Sequence, residues 1–144
     1  MAKKASILLI EDNVDDAILF RRALKKQHSP NSLQVVEQGS KAVSYLSGEG
    51  DFSDREKFPL PEFIVLDLTL PDMPGLNFLE WLRLESSEPN LPVFILSGCV
   101  SRKDTSEAFR LGCNACFEKP NEPLELENII RRIHHAWDDK NAHV

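Results

Sequence analysis

The residues of this 144-residue chain best suited to chemistry are few and far apart: Glu11, Asp12, Asp67, Ser97 and Lys119. Each lies at or just beyond the end of a short apolar run, namely 6–10, 63–66, 93–96 and 115–117. Runs of this kind read as parallel strands, and open α/β sheets place their sites beyond the carboxyl ends of such strands. The five side chains should therefore converge. Three carboxylates in one cleft repel one another unless a cation neutralises them, so a hard divalent ion is implied. Oxygen ligands with open positions suit Mg2+, with Mn2+ as its substitute. Asp67 is then the natural nucleophile, because a carboxylate can attack phosphorus and carry the group as an acyl phosphate. The Lys119 ammonium would pair with Asp67 before reaction and with a phosphoryl oxygen afterwards, while the Ser97 hydroxyl donates to another oxygen. Singly, each has a plainer reading as a loop acid, a turn serine or a surface lysine. The weight rests on all of them falling at successive strand ends.

The elements that must position these residues alternate along the chain. The first run is continuous rather than alternating, as expected of a strand covered on both faces. Asn13 can cap a helix whose packed face is Val14, Ala17, Phe20 and Leu24 and whose solvated remainder includes Asp15, Arg21, Arg22 and Lys25. Leu33 to Val36 reads as a strand before a helix with Ala42, Val43 and Leu46, and Phe63 to Leu66 as a strand before a helix around Phe78, Leu79 and Leu82. Val93 to Leu96 precedes a helix ending at Gly112, a residue suited to the left-handed turn that closes helices. Ala115 to Phe117 leads into a last helix from about Pro123, with Leu126, Ile129, Ile130, Ile133 and Trp137 along one stripe. Five β/α units result. The Gly-, Pro- and charge-rich connection at about 48–62 exceeds the usual αβ loop of about 2 to 6 residues and reads as a surface insertion.

Composition narrows the function class. Hydrophobic residues at 42% and charged ones at 28% fit one compact domain over 1–144, with no room for a second, and so no output domain is expected. A net charge of -6, with Lys and Arg clustered only in pairs such as Lys25-Lys26 and Arg131-Arg132, argues against direct nucleic-acid binding. No apolar run approaches the roughly 18 residues of a membrane span, and the start lacks a signal peptide's apolar core, so a cytoplasmic protein is expected. Cys99, Cys113 and Cys116 are odd in number and imply reduced thiols. Cys113 and Cys116 spell C-x-x-C, but a redox pair wants a helix N-terminus and a zinc site a second ligand pair. Small buried side chains are the better reading.

With those residues in hand the chain resembles the response-regulator receiver family (CheY-like) over nearly its whole length. "ILLIEDN" is similar to the family's first strand with its acidic pair, "IVLDLTLPDMPG" to the phosphoacceptor strand and following loop, "VFILSG" to the hydroxyl strand and "FEKP" to the lysine-proline ending. The resemblance implies a flavodoxin-like, doubly wound five-stranded parallel sheet of order 2-1-3-4-5. It implies that Asp12 and Asp67 bind the metal, Glu11 directly or through water, and Thr69 through its backbone carbonyl. It also implies a cis peptide bond between Lys119 and Pro120, compatible with proline's small cis penalty. The implied donor is a sensor histidine kinase, with acetyl phosphate as a small substitute, and the receiver catalyses only its own modification and hydrolysis. The connection "GEGDFSDREKFPLP" is similar to that of small stand-alone receivers paired with phytochrome-type kinases. Phosphorylation is then expected to draw Ser97 inward and repack the face of the fourth and fifth units, Phe109 included. A downstream protein, a phosphotransfer protein or a second copy of the chain would read that change.

Departures from the family pattern are few. Three residues before Lys119, where many receivers carry a Tyr or Phe that rotates inward, stands Cys116, and Phe117 should face the other way by strand alternation. Thr69 and Cys99, each two residues beyond Asp67 and Ser97, border the expected path of hydrolytic water. A degenerate receiver acting only as a binding module would need a broken site, and all five principal side chains are present. A phosphatase of another α/β family would need a second Asp two residues after Asp67, where Thr69 stands. His134 and His135 could suggest a phosphohistidine donor, but adjacent histidines on a final helix read as surface residues.

Overall fold

A computed structural model describes residues 6–27 and 31–142. Five strands, β1 (Ser6–Ile10), β2 (Ser32–Val36), β3 (Phe63–Leu66), β4 (Val93–Ser97) and β5 (Ala115–Glu118), form one parallel sheet of order β2-β1-β3-β4-β5. Helices α1 (Val14–Lys26) and α5 (Pro123–Ala142) cover one face, and α2 (Gly39–Ser47), α3 (Gly75–Leu84) and α4 (Arg102–Arg110) the other. The apolar strands split their residues between the two faces with a period of two. Ile7, Leu9, Phe63, Val65, Phe94 and Leu96 pack against Phe20, Leu24, Leu126, Ile130 and Ile133. Leu8, Ile10, Ile64, Leu66, Val93 and Ile95 pack against Leu46, Phe78, Leu79 and Leu82. Burial on both faces explains why the central strands read as unbroken apolar runs.

Local chemistry sets the helix ends. Asn13 Oδ1 accepts from the Asp16 backbone N–H at 3.0 Å and starts α1 as expected. Ser101 and Asp104 form a reciprocal capping box at the start of α4. Gly112, at φ +77°, closes α4 in the left-handed region that a side chain would strain. One expectation for α1 does not hold. Val14 is 72% exposed, because it lies in the first turn of α1 at the rim of the open cleft with Asp12 and Asp15 rather than against the sheet.

The insertion has its own framework. It contains a short 3₁₀ turn, Gly50–Ser53, and the rings of Tyr45, Phe52 and Phe58 meet with centroids 5.1 to 6.0 Å apart. Tyr45 Oη donates to the Pro59 carbonyl at 2.8 Å, and Arg55 donates to the carbonyls of Tyr45, Leu46 and Phe58. The segment is thus pinned to the C-terminal end of α2. Among the described residues no helix is long and apolar enough to cross a membrane.

Candidate functional site

The parallel ladder delivers the site residues to one end of the sheet. Past the last strand residues it continues with Glu11 N–H to Val36 O, Asp67 N–H to Ile10 O, and Lys119 N–H to Ser97 O, at 2.8 to 3.1 Å. Glu11 and Asp67 are buried, 5% and 4% exposed, while Asp12 faces solvent. Each of these three offers a carboxylate oxygen within 4.8 Å of the others. Asp67 is held from several sides. Its Oδ1 accepts from the Ser97 hydroxyl at 2.7 Å and from the Thr69 backbone N–H at 2.9 Å, and its Oδ2 accepts from Lys119 Nζ at 2.8 Å. Glu11 and Asp67 are the only buried acids among the described residues, which marks the place where the fold tolerates charge.

The backbone behind Asp67 is tied as tightly. Gly75 N–H donates to Leu68 O at 2.8 Å, and Thr69 pairs with Pro74 in an isolated antiparallel bridge. A Cβ at Gly75 would fall 2.5 Å from the Asp67 carbonyl oxygen and 2.6 Å from Leu68 Cα, so only glycine lets α3 start against the acceptor's own peptide. Asp72 receives the Gly39 and Ser40 backbone N–H groups, both at 2.9 Å, and joins the same loop to the start of α2.

The charges do not balance one against one. Burial pushes the Glu11 carboxyl up to about 7; Lys119 opposes this, while Asp67 beside it adds to the rise. Burial works in the same direction on Asp67, yet Lys119, the Thr69 N–H, Glu11 and the Ser97 hydroxyl together hold its carboxyl below the ordinary value. Desolvation acts against the charge on Lys119, but Asp16, Asp67 and Glu11 outweigh it and raise its pKa. Of this pair, Glu11 is therefore the carboxyl that holds a proton below about pH 7. A proton held among hard oxygen donors for want of positive charge is what a divalent cation displaces, so the residues present fit such an ion.

Of the residues read from the sequence, Glu11, Asp12, Asp67, Ser97 and Lys119 converge, and Thr69 borders them with its N–H already on Asp67. Cys99 is exposed in the same cleft, beside Asp12 and Gly98. The Lys119–Pro120 bond is a correction: among the described residues every peptide bond is trans. Trans is the lower-energy isomer, and with it Lys119 already reaches all its partners, so the contacts of the site impose no cis form. Cys116 lies outside the cleft. It packs toward α3 and α4 with its Sγ 3.7 Å from that of Cys113, while Phe117 faces α5 under the Arg132 guanidinium. Burial pushes the Cys113 thiol up to about 12 and raises that of Cys116, in keeping with inert side chains. His134 departs from expectation. Its ring is half-buried on the α5 side, edge-on to Phe63, with Nδ1 3.1 Å from the Ile130 carbonyl, because its helical phase points it at the sheet; His135 is exposed.

One participant was missed. Asp16 Oδ2 lies 2.7 Å from Lys119 Nζ. The available signal was helical phase: Asp16 precedes buried Phe20 by four residues, whereas Asp15 precedes the half-exposed Leu19 by four.

Comparison with known proteins agrees with this geometry. The family model described as Response regulator receiver domain matches residues 7–131. Response regulator Rcp1 of Synechocystis is 27% identical over 131 residues, covering 91% of this chain and 87% of that protein. The crystal structure of the phosphorylated cyanobacterial phytochrome response regulator RcpA superposes with a TM-score of 0.84 at 28% identity, over 94% of each chain. The Mn2+-bound form of Rcp1 superposes with a TM-score of 0.80 at 26% identity, over 92% of this chain and 94% of that one.

Proposed function

Because the chain belongs to the response regulator receiver family of two-component signalling, we propose that Asp67 is its phosphoacceptor and that Glu11, Asp12, Asp67 and the Thr69 carbonyl hold Mg2+. The observation that carries this is the threefold hold on Asp67, by Lys119, Ser97 and the Thr69 N–H. It leaves a buried carboxylate ionised, fixed and aimed at the cleft, which is what a nucleophile needs.

An Asp67 oxygen attacks the phosphorus of the donor, the bond to the donor's leaving group breaks, and a mixed carboxylic–phosphoric anhydride forms. Lys119, only 2.8 Å from Oδ2, shifts to a phosphoryl oxygen, and the Ser97 hydroxyl turns from Oδ1 to another. A divalent cation would offset the charge gathered on the transferring group. The same groups serve hydrolysis, so the chain's chemistry is confined to its own phosphorylation and dephosphorylation.

The phosphoryl donor is a sensor histidine kinase, phytochrome-type in view of the likeness to RcpA. Residues 1–144 act as one receiver domain in the cytoplasm. The face of α4, β5 and α5 carries the signal to a downstream or phosphotransfer protein or to a second copy, with Phe109, 50% exposed, as its apolar contact. Cys116 in place of an aromatic ring means that Ser97 movement is transmitted there by small-side-chain packing.

The test is intact mass after incubation with acetyl phosphate and Mg2+. A single adduct of about 80 Da, absent in Asp67→Asn and absent without Mg2+, is expected. Continued incorporation in Asp67→Asn would remove Asp67 from the acceptor role.

A further inference from the structure

Lys119 has three N–H donors and three carboxylates around them: Glu11 at 2.6 Å, Asp16 at 2.7 Å and Asp67 at 2.8 Å. Two of these acids belong to the trio whose oxygens can share a cation, and Asp16 does not. The ammonium and a divalent ion therefore compete for Glu11 and Asp67 and repel each other across them. Asp16 is the one of the three that the ammonium can keep when the other two are taken.

Its placement suits that part. Asp16 stands on the packed face of α1, one turn before Phe20, with its backbone N–H fixed by Asn13. Its side chain is 35% exposed against 4% and 5% for Glu11 and Asp67, so it lies at the rim of the buried pair, on the α1 side. A bond from Nζ to Asp16 thus draws positive charge toward the rim and away from the oxygens that face the cleft.

We propose that Asp16 is a positioning residue that acts through Lys119, holding the ammonium on the α1 side so that Glu11 and Asp67 are free to take a divalent cation. The inference rests on the reading of Glu11, Asp12 and Asp67 as metal ligands. It assigns Asp16 no direct contact with the ion or with the phosphoryl group.

The experiment is Mn2+ binding to the full chain, followed by electron paramagnetic resonance at fixed ionic strength with Mg2+ as competitor. The chains compared are wild type, Asp16→Asn, Asp16→Glu, Asp15→Asn, Lys119→Ala and the double variant Asp16→Asn/Lys119→Ala. Asp16→Asn should weaken binding about fivefold, and Asp16→Glu should restore it to within about twofold. Asp15→Asn removes the same charge one residue away, at a carboxylate that lines the cleft of Asp12 and Asp67 but is not a partner of Lys119, and should change affinity by less than about twofold. In the Lys119→Ala background the Asp16→Asn effect should vanish. An unchanged or tighter affinity in Asp16→Asn overturns the proposal, as does an equal loss in Asp15→Asn or in the Lys119→Ala background, either of which marks a general field effect. Failure of wild type to bind either ion is a different result: it overturns the ligand assignment itself, and the inference with it.

Discussion

Two partly buried cations organise opposite ends of this molecule. At the carboxyl end of the sheet Lys119 gathers three carboxylates. At the other end, where β4 and β5 begin, Arg83 donates to four backbone carbonyls, those of Leu111, Pro89, Leu91 and Gly112, at 2.8 to 3.0 Å. The guanidinium is a planar fork matched to neutral carbonyl acceptors, and it staples the end of α3 to the two incoming loops. The ammonium is a point charge among acids that outnumber it, and on the proposed reading its bonds to Glu11 and Asp67 give way to a metal ion or a phosphoryl oxygen while the bond to Asp16 is kept. Both cations are several-fold hydrogen-bonded. The difference lies in the acceptors: neutral carbonyls make a permanent joint, surplus negative charge makes an exchangeable one.

The sharpest way to break that contrast is at its centre. Asp67→Asn keeps the side chain's size but removes the carboxylate charge; on the proposed reading phosphoryl incorporation, read by intact mass, should fall at least about a hundredfold while the circular dichroism spectrum is retained. Next is the staple. Arg83→Ala leaves its carbonyls short of donors and should lower the unfolding free energy by about 3 kcal/mol in urea titrations, with Mn2+ affinity unchanged. Arg83→Lys should recover less than half of that loss, since one ammonium cannot span both loops. A metal-affinity loss in either variant would mean that the two ends are not independent.

A smaller effect follows from Glu11. Its folded pKa of about 7 lies above the ordinary value of 4.5, so the folded state holds a proton that the unfolded state has released. Metal-free stability should therefore fall as pH rises from about 4.5 to about 7 and level off above. Cation binding must expel the same proton, so affinity should rise over that window, by at most about tenfold per pH unit. Glu11→Gln should flatten both profiles, as calorimetric titrations between pH 5 and pH 8 would check. The smallest perturbation is chemical labelling. Brief iodoacetamide treatment should modify Cys99, exposed in the cleft, and spare Cys113 beside the Arg83 staple, as peptide mapping would reveal.

Much of this was legible in the chain because the informative residues interrupt strong patterns. Apolar strands buried on both faces read as unbroken runs, so the polar residue that ends each run stands out, and Glu11, Asp67 and Ser97 were found that way. Caps such as Asn13 and Gly112 act locally and read locally. Asp16 was not found, because two acids in the first turn of a helix are equally well explained by its dipole; only the tertiary path of β5 selects one of them. Arg83 carries no local signal of its role, since its acceptors lie 6 to 29 residues further along the chain. The trans bond before Pro120 and the half-burial of His134 likewise depend on the surroundings rather than on the residue. The insertion read as a surface loop, and its aromatic trio became visible only once Tyr45 and Arg55 were placed.

The strand order has a further consequence for local opening. Glu11 and Asp67 follow β1 and β3, each paired on both sides, whereas Lys119 follows β5, which pairs with β4 alone and is only partly buried. An edge strand can separate from the sheet at a fraction of the cost of global unfolding. Backbone amides of Cys116 and Phe117 should then exchange with deuterium at least about tenfold faster than those of Val65 and Leu66. The counter-charge is thus carried on the part of the sheet that can let go first, while the acids it serves sit on strands that open only when the whole domain does.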